Sequence, residues 1–458
     1  RGAESGDDCV EDLMWRSLAH MYRASARIAL SPADVVVRGG HDLSLTQAAG
    51  GDLVLALRAA VQANDGPLKQ AVLVHRALAL ADAGHYHSAR EGAEKAIKAI
   101  RASINALIEK GGQTSSPRCP ERDPESADEL RGTREWQAYS ALLRQATILR
   151  VRCLLSQDTF LLSVPTDLDY LRASAANADD ACQLAEIAYL QGCVAQKCGR
   201  AAEAAECYHR ALSTLRPVND WGACGPILNM RTQLNISLAT SRTVGPDQAW
   251  RAWRDARADI ATLRHWGEDG PYYWYKGMAA HLSGSIHSKR GMPDRAIKEL
   301  TDAVDVLNSP SVSRQDWVSY SRYLLAKAFL AKAEVDRSSE AAKEHKDKAL
   351  AQYEGALLAA IATKAQRGRE GTTHIMRTRW GLAMLYEEAE CRGKALWEYD
   401  HILGGYKLLT TDPSTSDLID SPELHSRPNE GYLRAKQAAA RLRKDGVSPV
   451  KPEYLEPR

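Results

Sequence analysis

The chain carries no dominant charge of either sign. Sixty Lys and Arg face 58 Asp and Glu, a formal net charge of +2, so no global field draws it to nucleic acid or to a membrane surface. Long apolar runs are missing too; none approaches the roughly 18 residues of a transmembrane helix. Phenylalanine is nearly absent, 2 residues against 17 Tyr and 10 Trp. The familiar catalytic spacings are also missing: there is no HExxH, no GxSxG and no CxxC. Arg392-Gly393-Lys394-Ala395 lacks the upstream glycine and the Ser or Thr of a phosphate loop. These absences point away from an enzyme and from a resident cofactor or metal. Extended alternation is lacking as well, and Val35–Val37 is the one β-branched run that suggests a strand.

What is present is length and helical periodicity. The 458 residues exceed one ordinary core, so the chain is either several domains or one elongated array. With 44% hydrophobic and 26% charged residues it reads as a folded soluble protein. Nine cysteines, most of them among apolar residues of helical segments, read as reduced core residues of an intracellular, cytoplasmic protein. The chain opens on Arg1 rather than Met. That reads as a processed or trimmed product and leaves an organellar location after loss of a targeting peptide open. Cys193, Cys198, Cys207 and His209 are the densest group of metal-ligand types, but their spacing matches no familiar zinc arrangement. His85 and His87 around Tyr86, and Glu387, Glu388 and Glu390, read as solvated turn and helix residues.

Four segments share one pattern: a small residue, usually a turn glycine, an alanine in the second helix and a closing Ala or Ile. The second copy is the clearest, with Gly192, Gly199, Ala204, Tyr208 and Ala211. The first has Ala77, Gly84, Ala89, Ala93 and Ala96; the third has Gly284, Gly291, Ala296, Leu300 and Ala303. The fourth has Ala383, Ala395, Tyr399 and Ile402, with Glu390 where the glycine belongs. First and last markers are 19 residues apart in every copy. Small residues let two helices approach closely, and a glycine ends the first helix in a left-handed conformation. The pattern therefore predicts antiparallel helix pairs.

These residues resemble the tetratricopeptide repeat (TPR) family. Equivalent small residues are 115, 92 and 99 apart, so two units of about 46 to 50 residues fit each of the last two gaps. That is similar to the long-repeat TPR-like scaffolds, such as those of vesicle-trafficking adaptors and cohesin-loading subunits. The resemblance implies an all-α, right-handed superhelical solenoid of antiparallel helix pairs, roughly sixteen helices in all. It also implies a concave groove lined by the first helix of each pair. Carried over copy by copy, the groove positions are Val74, Leu78, Ala81 and Asp82; Glu186, Tyr189, Cys193, Gln196 and Lys197; His281, Ser285, Ser288 and Lys289; and Arg377, Trp380, Met384, Glu387 and Glu388. The Lys and Asn positions that clamp a C-terminal carboxylate in chaperone-binding relatives hold other residues here. The carboxylate clamp is absent, and an extended peptide or an amphipathic helix suits the groove better.

The remaining segments also read as helices. The expected organisation is N-terminal helices over 1–110, a Pro- and Gly-rich linker over 111–132 and a main array over 133–411. A loop over 412–429 and a basic helix with an extended tail over 430–458 complete it. Lys364, Arg367, Arg369, Arg377 and Arg379 beside Trp380 form the densest basic patch. Gly368, Glu370 and Gly371 interrupt it, so it reads first as a charged connector between helices and second as a surface for RNA or an acidic segment. Exposed faces bearing Trp250, Trp253 and Trp274 suggest contacts with other subunits. The expected function is a non-enzymatic interaction scaffold in a larger assembly. The rivals are a regulatory sensor of a peptide or small ligand and an RNA-associated helical repeat.

Overall fold

The computed structural model describes residues 14–21, 43–82, 86–114, 133–156, 163–175, 181–218, 221–241, 243–269, 272–310, 312, 314–336, 339–411 and 422–455. Among them the fold is all-α, with no strand. Fifteen bounded helices run in order: α1 Leu43–Gln62, α2 Gly66–Asp82, α3 Tyr86–Thr114, α4 Arg134–Ser156, α5 Ser163–Ala175, α6 Ala181–Lys197, α7 Ala201–Leu215, α8 Trp221–Thr240, α9 Pro246–Asp269, α10 Trp274–Lys289, α11 Pro293–Leu307, α12 Gln315–Val335, α13 Ser339–Glu388, α14 Arg392–Thr411 and α15 Pro422–Lys444. A further helical stretch covers 14–21. None is long and apolar enough to cross a membrane.

The chain divides into two compact units, Arg1–Gln157 with Leu161–Ala178, and Asp179–Arg458 with Asp158–Phe160. In the first, Tyr139, Leu143 and Ala146 of α4 share a core with Val74 of α2 and Ala96 and Ile97 of α3. The linker expected over 111–132 thus lies inside one unit, and α3 reaches Thr114; 115–132, like the run Val35–Val37, lies outside the described residues.

Each marked copy folds as an antiparallel pair, and the markers are its contact points. Ala89, Ala93, Ala96, Ala204, Ala211, Ala296, Ala303 and Ala395 are all fully buried. The small residue of the first helix faces the larger residue sixteen positions later. A Cβ on Gly192 would lie 2.5 Å from Cε1 of Tyr208, and one on Gly284 would lie 2.5 Å from Cγ of Leu300. A glycine inside a helix costs about 1 kcal/mol against alanine. These two helices accept that cost because a ring or a branched side chain occupies the freed space.

The turns close in one manner. Gly199 and Gly291 have φ of 74° and 68°, and Glu390 takes the same left-handed conformation at 59°. In each the following N–H reaches back five residues: Arg200 to Ala195 at 2.9 Å, Met292 to His287 at 3.0 Å and Cys391 to Tyr386 at 2.8 Å. Asn64 and Gly446 end α1 and α15 identically, with Asp65 to Ala60 at 3.2 Å and Val447 to Leu442 at 3.1 Å. Glu390 thus occupies a glycine's place with a side chain, against a steric cost of roughly 1–2 kcal/mol. Gly84 lies outside the described residues.

The unmarked pairs are braced by polar contacts. Arg150 of α4 forks onto Asp167 of α5, with Nε 2.9 Å from Oδ2. Arg231 of α8 does the same to Asp259 of α9, again at 2.9 Å. Ser319 of α12 donates to the Ala356 carbonyl of α13 at 2.7 Å.

Helical backbone is continuous through α13, yet it is not one straight rod. Glu354 accepts a hydrogen bond from Tyr386 at 2.9 Å, whereas 32 residues of straight helix span about 48 Å. A Cβ on Gly381 would likewise meet the Tyr353 ring at 2.7 Å. The chain therefore reverses between 354 and 381, so α13 comprises two arms, and the charged stretch expected as a connector lies between those positions.

Two expectations at the C-terminus are corrected. Helix α15 begins at Pro422, within the stretch expected as loop. The tail after it, expected to be extended alone, docks on α14. The Val450 N–H donates to the Gly393 carbonyl at 2.9 Å, Pro452 is buried, and Val447 and Tyr454 join the core of the last helix pair.

Replacing Glu390 by Gly should stabilise the protein by about 1 kcal/mol in denaturant titration, and an unchanged or lower stability would remove the strain assignment. Gly192→Ala sets a helix-propensity gain of about 1 kcal/mol against the collision with Tyr208. Overpacking wins, and a net loss of about 1–2 kcal/mol is expected.

Candidate functional site

The groove positions transferred from the repeat divide into three groups. Some are interior. Val74 is buried against α3 and α4. His281 is buried, with Nδ1 2.9 Å from the Ser321 hydroxyl and its ring edge-on to Trp317 at 5.1 Å. Cys193 is buried, with its Sγ 3.7 Å from the Tyr208 hydroxyl oxygen. These three present no surface to a partner: Val74 and His281 pack on the helix that follows their pair, and Cys193 lies against Tyr208 of its own pair.

Others are committed to the fold while partly exposed. Gln196 accepts from the Tyr208 phenol at 2.7 Å. Tyr189 is half-buried 6.1 Å from the Tyr208 ring, and Trp380 is half-buried edge-on to Tyr399 at 5.6 Å. Glu387 is ion-paired to Arg441 of α15, so the protein's own last helix sits where the fourth copy was expected to receive a partner. Arg443 pairs with Asp400 in the same way, and Ala435, Ala439 and Leu442 enter the core. The basic helix is a cap.

The remaining positions reach the surface to differing degrees. Lys197, Lys289 and Arg377 are exposed, Glu388 is exposed and ion-paired to Lys346, and Met384 is 55% exposed, an apolar side chain in solvent. Leu78, Ala81, Glu186, Ser285 and Ser288 are half-buried. The side chain of Asp82 lies outside the described residues, as do those of Tyr86, His87, Lys364, Arg367 and Arg369; His85 lies outside them altogether.

Arg379 corrects the basic patch. It is buried, donates to Glu398 at 2.5 Å and lies over the Trp397 ring at 5.1 Å. Its charge serves the interior. Glu398 is fully buried and also takes the Tyr454 phenol of the C-terminal tail. Burial pushes the Glu398 carboxyl up, and the charge of Arg379 and the Tyr454 hydrogen bond oppose that shift. Burial, then the charge of Glu398, raises the Tyr454 phenol, which stays a donor. One carboxylate thus ties both helices of the last pair to the tail.

Sequence reasoning missed a second buried pair. Ser319 and His374 are 1% and 4% exposed, 2.9 Å apart, with Tyr320 stacked on the imidazole at 3.9 Å. The serine's single proton goes to the Ala356 carbonyl, so His374 Nε2 carries the hydrogen and donates to Ser319. With its proton committed and no opening to solvent, this serine braces helices. A serine on an apolar face was the one available signal, and its partner lies 55 residues on.

Among the described residues no group of three His, Cys, Asp or Glu converges as a metal site requires. Trp253 and Trp274 pack against the core of α8 to α12, whereas Trp250 is 63% exposed. The features that remain open to a partner are surfaces.

Removing Glu398 alone (Glu398→Ala) strands a buried guanidinium and should cost about 3–5 kcal/mol. The double replacement Arg379→Met with Glu398→Leu should recover most of that loss in denaturant titrations. Equal losses for both would show that the pair is not coupled. Comparison of the chain with protein-family models gives no match, and comparison with curated proteins gives none.

Proposed function

We propose that this chain is a non-enzymatic, TPR-like interaction scaffold, a subunit of a larger assembly that holds an extended or helical segment of another protein. The observation that carries the reading is the repeated pair geometry. The small residue, the left-handed turn and the sixteen-residue contact recur in α6/α7 and α10/α11, with an unmarked pair between them. Side chains on the first helices that are not used inside, Lys197, Lys289, Arg377 and Met384, are left in solvent. Charged groups beside an exposed methionine suit a partner with both apolar and polar contacts. The seven described cysteines are free thiols, which favours a reducing, intracellular setting.

The test is site-specific photo-crosslinking in the native source. A photoreactive residue replaces Lys197, Lys289 or Met384 in turn, with the exposed second-helix positions Glu203 and Glu206 as controls. Crosslinks to one common protein from the three first-helix positions, and none from the controls, are expected. Crosslinks that do not distinguish the two sets would overturn the groove assignment.

A further inference from the structure

A face built by α9, α10 and α11 collects positive charge that its surroundings do not balance. Arg257 lies on α9, Arg290 at the C-terminal cap of α10 and Arg295 in the first turn of α11, and all three are exposed. None of them forms an ion pair among the described residues. Their neighbours do: Arg254 with Asp255 at 3.1 Å and Arg264 with Glu299 at 3.0 Å. The Arg264–Glu299 bridge sets the register of α9 against α11. Arg257 is seven residues before Arg264, two turns along the same face, and Arg295 is four residues before Glu299, one turn along its own. Between them stands His287 of α10, whose Nδ1 is buried without a hydrogen-bond partner. Burial lowers its titration and Glu299 opposes; the charges of Arg295, Arg257 and Arg290 then add to the lowering. Three uncompensated guanidiniums therefore act on one small area.

Helix α9 also carries Trp250, 63% exposed, with the Arg254 guanidinium 5.5 Å from its ring centre. Trp250 is seven residues before Arg257 and on the same face, about 10 Å along the axis. An open indole followed by unpaired arginines suits a chain of phosphates bearing flat bases: a base stacks on the ring while phosphates meet the guanidiniums. An acidic peptide would satisfy the arginines and leave the indole unused.

We propose that Trp250 with Arg257, Arg290 and Arg295 around His287 forms a binding site for single-stranded nucleic acid. It reads charge and stacking and not base sequence. This face, and not the arginine-rich stretch ending at Arg379, is the nucleic-acid surface, since Arg379 is spent on Glu398.

The experiment is fluorescence anisotropy of the full chain with a labelled oligouridylate of about twelve nucleotides, from about 50 to about 300 mM salt. Binding should weaken with salt at a log–log slope of about −2, as for three phosphates on a single strand. Arg257→Glu combined with Arg290→Glu should weaken binding at least about tenfold and flatten the slope. Trp250→Ala should weaken it about tenfold and leave the slope unchanged. All three positions are exposed, so an unaltered thermal midpoint accompanies these losses. Absent binding, or variants that bind like the parent, would overturn the proposal. So would a polyglutamate peptide that displaces the RNA as well as unlabelled oligouridylate does, which would assign the face to an acidic protein segment.

Discussion

The interlock between a small residue on one helix and a large one on the next is what the rest of the fold depends on. Gly192 against Tyr208 and Gly284 against Leu300 seat a large side chain directly on the facing backbone, where a Cβ would stand 2.5 Å from it. Close approach buries the alanines that flank the contact, and dense packing of small groups makes the pair one rigid unit. The left-handed turn follows from it: two helices that must touch sixteen residues apart need a reversal of a few residues, and the five-residue back-bonded cap supplies one.

Where the interlock is missing, polar bridges take its place. The pairs α4/α5 and α8/α9 carry a forked arginine–aspartate contact, and α12 is tied to α13 through Ser319. A forked pair fixes orientation as well as distance, which a contact between two alanines does not. The last pair carries both devices. Its Arg379–Glu398 bridge extends through Tyr454 to the tail, so the segment after α15 covers part of the apolar face of α14.

The available surfaces follow from these commitments. Polar groups used inside are lost to partners, as Arg379, Glu387 and His281 illustrate. Charges left over, at Arg257, Arg290 and Arg295, lie where α9 meets the turn from α10 to α11, and Arg257 is 33 and 38 residues from the other two in the chain. A net charge of +2 hides such a face, because whole-chain charge carries no positional information.

By itself the sequence determined the helical class, the paired arrangement and the marker contacts. Those depend on periodicity and on residues within about twenty positions of one another, where the geometry of helix–turn–helix leaves little freedom. Tertiary structure alone decided which polar residues turn inward. Arg231 with Asp259, and Ser319 with His374, are partners 28 and 55 residues apart, and no local pattern encodes such a distance. It alone decided that Val74 and His281 are interior, that α15 occupies Glu387 and that the tail folds back on Gly393. Each depends on which face of a helix meets its second neighbour, and small differences in packing angle between successive pairs set that.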